Sequence, residues 1–104
     1  MEYSLEYRIE FLPRAKKQLH DAAFWYETKR IGLGNLFLIS FTGTMALIKR
    51  NPKLFGMVYK QIHRAVKTDY PYNIYFRIDD AIKLVTIIAV LHQHQKPESW
   101  KDTE

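Results

Sequence analysis

The sequence contains no cysteine, which excludes a disulfide, a thiolate metal site and a cysteine nucleophile. The fold must therefore be stabilised by its hydrophobic core alone. Long apolar runs are also missing, because no segment reaches the roughly 18 apolar residues that span a bilayer. The N-terminus has no basic segment leading into an apolar run, as a signal peptide would. We expect a soluble cytoplasmic protein with no membrane partner.

The sequence also lacks the motifs of several common enzyme classes. It has no Gly-rich phosphate loop, no serine-centred nucleophile motif and no paired-carboxylate pattern. His63, His92 and His94 are the remaining candidates for a metal site, but no acidic or cysteine ligand accompanies them. We therefore expect neither a metal ion nor a cofactor.

Acidic residues are absent from a long internal stretch. Between Glu27 and Asp69 there is no Asp or Glu, and the net charge of the chain is +5. The cations inside this stretch are Lys29, Arg30, Lys49, Arg50, Lys53, Lys60, Arg64 and Lys67. One region of the fold should therefore be strongly positive. Such a region is typical either of a solvated basic surface or of a surface that binds a polyanion or an acidic protein.

The composition that is present is globular, with 47% hydrophobic and 26% charged residues over 104 positions. This length allows one domain, which we expect to span residues 1–104. Residues 72–78 alternate between apolar and polar, as in a strand with one buried face. Residues 82–92 are apolar at both parities, which predicts a central strand covered on both sides. The intervening residues 79–81 are short enough to form an antiparallel hairpin, although they lack glycine.

Two helices are predicted before this hairpin. Residues 3–11 alternate as a first strand, and Pro13 then suits the first turn of a helix that runs to about residue 30. Gly32 and Gly34 end this helix, and a second apolar stripe follows as far as Pro52.

The second helix and the segment after it carry less regular signals. Gly43 lies inside the helix, where glycine is unfavourable, so we expect a close approach of a neighbouring element there. Residues 52–56 should form a loop anchored by Leu54 or Phe55. Residues 58–68 read as one irregular strand, in which a bulge or an edge position would accommodate Arg64 at a core parity.

The predicted order is β-αα-βββ, an α+β fold in which a helical hairpin covers one face of a small, mostly antiparallel sheet. The apolar parity of residues 72–78 should face the helices. Asn73, Tyr75 and Arg77 would then lie on the opposite face. We expect a shallow basic concavity around Tyr75 and Arg77, and we place the functional site there.

Several residues in this region could carry phosphate chemistry. Metal-free cleavage of RNA needs a base for the 2′-hydroxyl, an acid for the leaving oxygen and cations for the charge that develops on phosphorus. Arg64, Arg77, and His92 or His63 could supply these roles. The same residues could equally attract an acidic partner, and the histidines could simply pack at strand ends.

Taken together, these features resemble the ParE/RelE superfamily of bacterial toxins from type II toxin–antitoxin modules. The matching pieces, in the order of that family, are Phe11-Leu12-Pro13-x-Ala15, Trp25-Tyr26-Glu27, Gly32-Leu33-Gly34, Asn51-Pro52, Arg64, residues 70–77, and Val90-Leu91-His92 with Pro97 and Trp100. The resemblance implies the architecture described above. It also implies a small toxin that is held inactive by an antitoxin encoded beside it.

The superfamily contains at least two mechanisms. ParE-like members poison DNA gyrase, whereas RelE-like members cut mRNA in the ribosomal A site. The pieces around Trp25, Gly32 and Tyr70 are closer to the ParE branch. Arg64 and Arg77 match the two sheet arginines that stabilise phosphate in RelE-like nucleases, but the catalytic tyrosine of those enzymes has no counterpart after His92.

The resemblance therefore leads to a preferred function and an alternative. We expect inhibition of DNA gyrase, with ribosome-dependent mRNA cleavage by a metal-independent endoribonuclease as the alternative. The expected partners are an antitoxin and DNA gyrase, or the ribosome and mRNA. The residues expected to contact a partner or nucleic acid are Lys49, Arg50, Lys53, Lys60, Lys67, Tyr75 and Trp100.

Overall fold

The computed structural model describes residues 6–95. Its elements, in chain order, are β1 (Arg8–Phe11), α1 (Pro13–Lys29), α2 (Leu33–Arg50), a 3-10 turn (Pro52–Leu54), β2 (Met57–Tyr59), β3 (Ile62–Val66), β4 (Tyr72–Asp79) and β5 (Leu84–His92). Within these residues the strands form one five-stranded sheet in the order β1-β5-β4-β3-β2. β1 runs parallel to β5, and the other neighbouring pairs are antiparallel. The predicted α+β architecture is confirmed, since the helical hairpin packs on one face of this sheet.

The number of strands differs from the predicted order. Residues 58–68 were expected to form one strand, but they form parts of β2 and β3, so β3 is internal and β2 is the edge. Tyr59 pairs with Ile62 across a two-residue turn, and Lys60 takes a left-handed φ of 50° there. No glycine marks this turn, which is why the sequence pattern does not divide the segment.

A bulge in β5 adds one apolar residue to the sheet face that lies away from the helices. Tyr75 pairs with Ala89 and Phe76 pairs with Ile87, so Ile88 is the extra residue. Ile88 and Ala89 both join a cluster on the face away from the helices, together with Tyr75. The far face of the sheet is therefore partly apolar at its centre, and Tyr75 is only 3% exposed.

The main core lies between the helices and the sheet. Its buried members on the helices include Ala15, Phe41 and Ile48, and its members on the sheet include Ile74 and Phe76. The prediction for residues 72–78 is confirmed, because the apolar residues of this alternating segment face the helices. Phe55 packs against the same core, whereas Leu54 is exposed. Phe55 is therefore the residue that anchors the loop of residues 52–56.

The turn between the helices is held by a side chain of the first helix. Glu27 accepts hydrogen bonds from the N–H of Gly32 at 2.9 Å and from the N–H of Gly34 at 3.0 Å. These are N–H groups at the start of α2 that have no partner within the helix. Glu27 therefore replaces the side-chain N-cap that α2 lacks.

The close approach of the two helices occurs at Gly34 rather than at Gly43. A Cβ at Gly34 would lie 2.5 Å from the carbonyl oxygen of Ala23, whereas a Cβ at Gly43 would meet nothing within 4 Å. The expectation of a close contact at Gly43 is wrong, because that side of α2 faces open space. Within residues 6–95, neither helix combines the length and the apolar character needed to cross a membrane.

Candidate functional site

Two arginines project from the sheet face that lies away from the helices. Arg64 pairs in register with Tyr75, and Arg77 follows Tyr75 on the same side of β4. Arg64 is exposed and Arg77 is half-buried. Diagonal neighbours on adjacent strands are about 7–8 Å apart, so both guanidinium groups can reach one anion. We call Arg64 and Arg77 the sheet arginine pair.

The structure places the two candidate histidines on the other side of the sheet. The His63 ring stacks on Phe76 with centroids 5.4 Å apart, and its Nδ1 lies 2.6 Å from the carbonyl oxygen of Phe55. The His92 ring contacts its cross-strand neighbour Tyr72 at 5.3 Å. Both Phe76 and Tyr72 pack against the core beneath the helices. The histidines therefore do not join the sheet arginine pair.

Proton transfer at the sheet arginine pair would need an acid or a base close to the reacting atoms. A general acid or base must come within about 2.6–3.2 Å of the proton that it transfers. Tyr75 lies beside Arg64, but its side chain is buried. Among residues 6–95, no cluster of three His, Asp or Glu side chains is suited to hold a metal ion. The guanidinium groups of the sheet arginine pair offer N–H donors that can bind an anion.

The side chain of Lys67 is buried, unlike that of a surface lysine. It is only 5% exposed, and its Nζ donates to Ser40 Oγ at 2.8 Å and to Thr44 Oγ1 at 2.9 Å. It also pairs with Asp69 at 3.2 Å, and Ser40 donates a short hydrogen bond to the same carboxylate. Lys67 was expected to contact a partner, but its side chain is buried, and its ammonium joins the residue after β3 to α2.

The remaining predicted cations are exposed. Lys49 and Arg50 form the last turn of α2. Lys53 pairs with Asp80 at 2.6 Å, and this hydrogen bond raises the pKa of the Lys53 ammonium. Lys60 lies over the ring of its neighbour Tyr59, 5.4 Å from the centroid. Trp100 lies outside the described residues. We call Lys49, Arg50 and Lys53 the basic end of α2.

A sequence model of the ParE toxin of the type II toxin–antitoxin system parDE matches residues 9–97. This match covers most of the chain. The chain belongs to the ParE toxin family. No curated protein sequence matches it significantly.

Solved structures with the same fold include both ParE-type and RelE-type proteins. A chain of the chromosomal ParDE system from P. aeruginosa has a TM-score of 0.68 at 13% identity, covering 86% of this chain and 98% of that chain. A chain of the RelBE2 complex from Mycobacterium tuberculosis has a TM-score of 0.64 at 18% identity, covering 85% and 99%. A chain of the E. coli RelBE complex has a TM-score of 0.65 at 14% identity, covering 86% and 99%. At these identities the likeness shows a shared fold.

This member of the ParE family also has a cleft that the sequence analysis misses. It has a volume of about 490 Å³ and lies between α1 and the end of β5. We call it the α1–β5 cleft, and its walls include Gln18, Asp21, Trp25, Tyr26, Tyr72 and His92. Gln18, Asp21, Trp25 and Tyr26 are spaced as i, i+3, i+7 and i+8, so they lie on one face of α1. This spacing can be read from the sequence.

The Lys67 environment in this ParE-family chain predicts a response to acid. Ser40 donates a hydrogen bond to Asp69, and this bond lowers the pKa of the Asp69 carboxyl below its ordinary value of about 3.9. The contact with Lys67 lowers it further. A carboxyl with a lowered folded pKa stabilises the fold above its unfolded pKa, and this contribution is lost as the pH falls through the folded pKa. We expect chemical unfolding at a series of pH values to show stability falling below about pH 4. Asp69→Asn should flatten that fall, and parallel curves for the variant and the parent would contradict the assignment.

Proposed function

We propose that this chain is a type II toxin that arrests bacterial growth by inhibiting DNA gyrase, the action that resemblance to the ParE branch implies. ParE-type and RelE-type proteins share the fold, so the choice of target rests on the site. The observation that carries the choice is the separation of the sheet arginine pair from His63 and His92.

This separation weighs against metal-free cleavage of RNA by its 2′-hydroxyl. Metal-free cleavage needs an acid and a base on opposite sides of one phosphate, within hydrogen-bond reach. The contacts of His63 with Phe76 and Phe55 hold its ring on the helix side of the sheet. A pair of guanidinium groups can bind a phosphate or a carboxylate by charge and hydrogen bonds, without moving a proton. Binding without bond cleavage is what a protein that stabilises a gyrase–DNA complex requires.

The proposal includes an antitoxin as the principal partner. The structures with the same fold come from ParDE and RelBE systems, and two of them are described as toxin–antitoxin complexes. The basic end of α2 lies in the stretch without acidic residues between Glu27 and Asp69. An antitoxin segment with acidic character would complement this charge and fold as it binds. Expression of the chain alone should therefore stop bacterial growth, and expression of the neighbouring gene should restore it.

The order in which macromolecular synthesis stops after induction tests the target. If gyrase is inhibited, incorporation of labelled thymidine should fall first and incorporation of labelled methionine should follow. Lys49→Gln with Arg50→Gln removes two cations from the basic end of α2 and should raise the inducer level needed for arrest by about tenfold. Arg8→Gln with Lys16→Gln removes the same charge from exposed positions elsewhere and should leave that level unchanged.

The opposite order would overturn the proposal. If methionine incorporation stops first, the protein acts on translation, and the ribosome with its mRNA becomes the target. Arg77→Ala should then slow mRNA cleavage by about a hundredfold, because a transition-state cation is lost. His63→Asn keeps an N–H donor near the position of Nδ1 and removes Nε2, the nitrogen that would transfer a proton. If this variant still arrests growth, the result supports gyrase as the target.

A further inference from the structure

We infer that the α1–β5 cleft binds an unpaired nucleobase, presented either by a free nucleotide or by a single strand. This inference is independent of the proposed action on gyrase. Neither the sheet arginine pair nor the basic end of α2 lines the cleft. Three features of the cleft carry the inference: its aromatic walls, its hydrogen-bonding groups and its rim.

Aromatic rings from two sides of the cleft provide surfaces for stacking. On α1, Trp25 and Tyr26 meet edge to face, with centroids 5.1 Å apart. On the sheet, Tyr72 and His92 also meet edge to face, at 5.3 Å. Trp25 is 52% exposed, although a tryptophan side chain is mostly apolar. Stacking between a base and an aromatic side chain favours binding and tolerates any base.

Hydrogen-bond donors also come from both sides. Gln18 Oε1 accepts the N–H of Val90 at 2.8 Å, which fixes the amide and makes Nε2 its donor end. His92 Nδ1 accepts the N–H of His94 at 3.1 Å, so the neutral ring carries its proton on Nε2. These N–H groups suit the ring nitrogens and carbonyl oxygens along the edge of a base. An apolar ligand would leave them unpaired.

The acceptor at the rim favours a neutral ring over a cationic side chain. Asp21 lines the cleft, and its carboxylate can accept from an exocyclic amino group or a ring N–H. Lys17 pairs with this carboxylate at 2.8 Å and offsets its charge. A cation would therefore gain little attraction from Asp21, although aromatic walls alone would suit one.

The size and rim of the cleft fit a base attached to a phosphate. Its volume of about 490 Å³ falls within the range of about 300–1,000 Å³ that is usual for small-ligand sites. Lys29 lies 4.7 Å from the centre of the Trp25 ring, and Lys17 lies beside Asp21. The ammonium of Lys29 is placed to attract the phosphate of a nucleotide whose base occupies the cleft, whereas the ammonium of Lys17 is paired with Asp21.

Fluorescence of Trp25 tests the inference directly. The chain has two tryptophans, so Trp100→Phe leaves Trp25 as the single reporter. This full-length variant is titrated with AMP, GMP, CMP and UMP, and in parallel with ribose 5-phosphate and with N-acetylarginine amide. Saturable quenching by the nucleoside monophosphates is expected, with little response to the other two compounds. An oligonucleotide that binds at least tenfold more tightly would identify a single strand as the ligand, whereas equal binding would identify a free nucleotide.

Two variants and a control link the quenching to the cleft. Gln18→Glu keeps the oxygen that accepts from Val90 but removes the amide donor, and it should weaken nucleotide binding by about tenfold. Tyr72→Leu removes a stacking surface and should weaken binding by a similar factor of about ten. Gln61→Ala, at an exposed position in the β2–β3 turn, should change nothing.

Three results would overturn the inference. Equal quenching by ribose 5-phosphate would indicate a phosphate site without base recognition. Saturation by N-acetylarginine amide, with no response to nucleotides, would indicate an aromatic cage for a cation. Unchanged nucleotide binding by both Gln18→Glu and Tyr72→Leu, each verified as folded by its melting transition, would place the quenching elsewhere.

Discussion

Gly34→Ala is expected to lower the free energy of unfolding by about 3 kcal/mol, because its Cβ would lie 2.5 Å from the carbonyl oxygen of Ala23. That oxygen belongs to the backbone of α1, so it cannot move without moving the helix. The Cβ would also lie 3.2 Å from Glu27 Cβ, whose carboxylate bonds the N–H groups of Gly32 and Gly34. Separating the helices would therefore weaken the turn as well. Urea unfolding followed by circular dichroism measures the change.

Gly43→Ala is the matched control, since it makes the same chemical change in the same helix. A Cβ at this position would meet nothing within 4 Å. Alanine is the better helix former and restricts the unfolded chain, so we expect a gain of about 0.5–1 kcal/mol. If both variants lose similar stability, the close approach of α1 and α2 at Gly34 is not as described.

Lys67→Ala should lower the free energy of unfolding by about 2–3 kcal/mol, because it leaves polar groups inside the protein without a donor. Ser40 Oγ and Thr44 Oγ1 each lose a hydrogen bond, and Asp69 loses its ion pair. The lost side-chain stem adds a cavity to this cost. The same unfolding experiment measures the effect.

Two further variants separate the causes at Lys67. Lys67→Met retains most of the stem and removes only the ammonium, so its loss of stability isolates the hydrogen bonds and the ion pair. Lys16→Ala, at an exposed position of α1, should change stability by less than about 0.5 kcal/mol. If Lys67→Ala is equally mild, Lys67 is a surface cation, as the sequence analysis expected.

The parts of the fold that follow from the sequence are those determined by local patterns. The alternation in residues 72–78 marks β4 because burial on one face imposes a period of two. Pro13 marks the start of α1, and Asn51-Pro52 marks the end of α2. The boundary between β2 and β3 was missed because Lys60, rather than glycine, adopts the left-handed conformation at the turn.

The parts that were missed depend on contacts between distant residues. Lys67 reaches Ser40, which lies 27 positions earlier in the chain, and no local pattern reports this bond. The separation of His63 from Arg64 follows from strand alternation alone, since neighbours in a strand face opposite sides. The assignment of both residues to one catalytic group overlooked this consequence. The cleft beside Trp25 and Tyr26 was missed because exposed and buried aromatics look alike in a helical stripe.

The central claim, that the chain poisons DNA gyrase, is tested most directly with purified components. Gyrase, ATP and plasmid are incubated with the protein, the enzyme is then denatured, and linear DNA from trapped cleavage complexes is quantified. We predict that supercoiling falls and linear DNA accumulates, that the cognate antitoxin reverses both effects, and that Lys49→Gln with Arg50→Gln weakens them. Unaffected gyrase, together with cleavage of ribosome-bound mRNA by the same folded preparation, would contradict the claim.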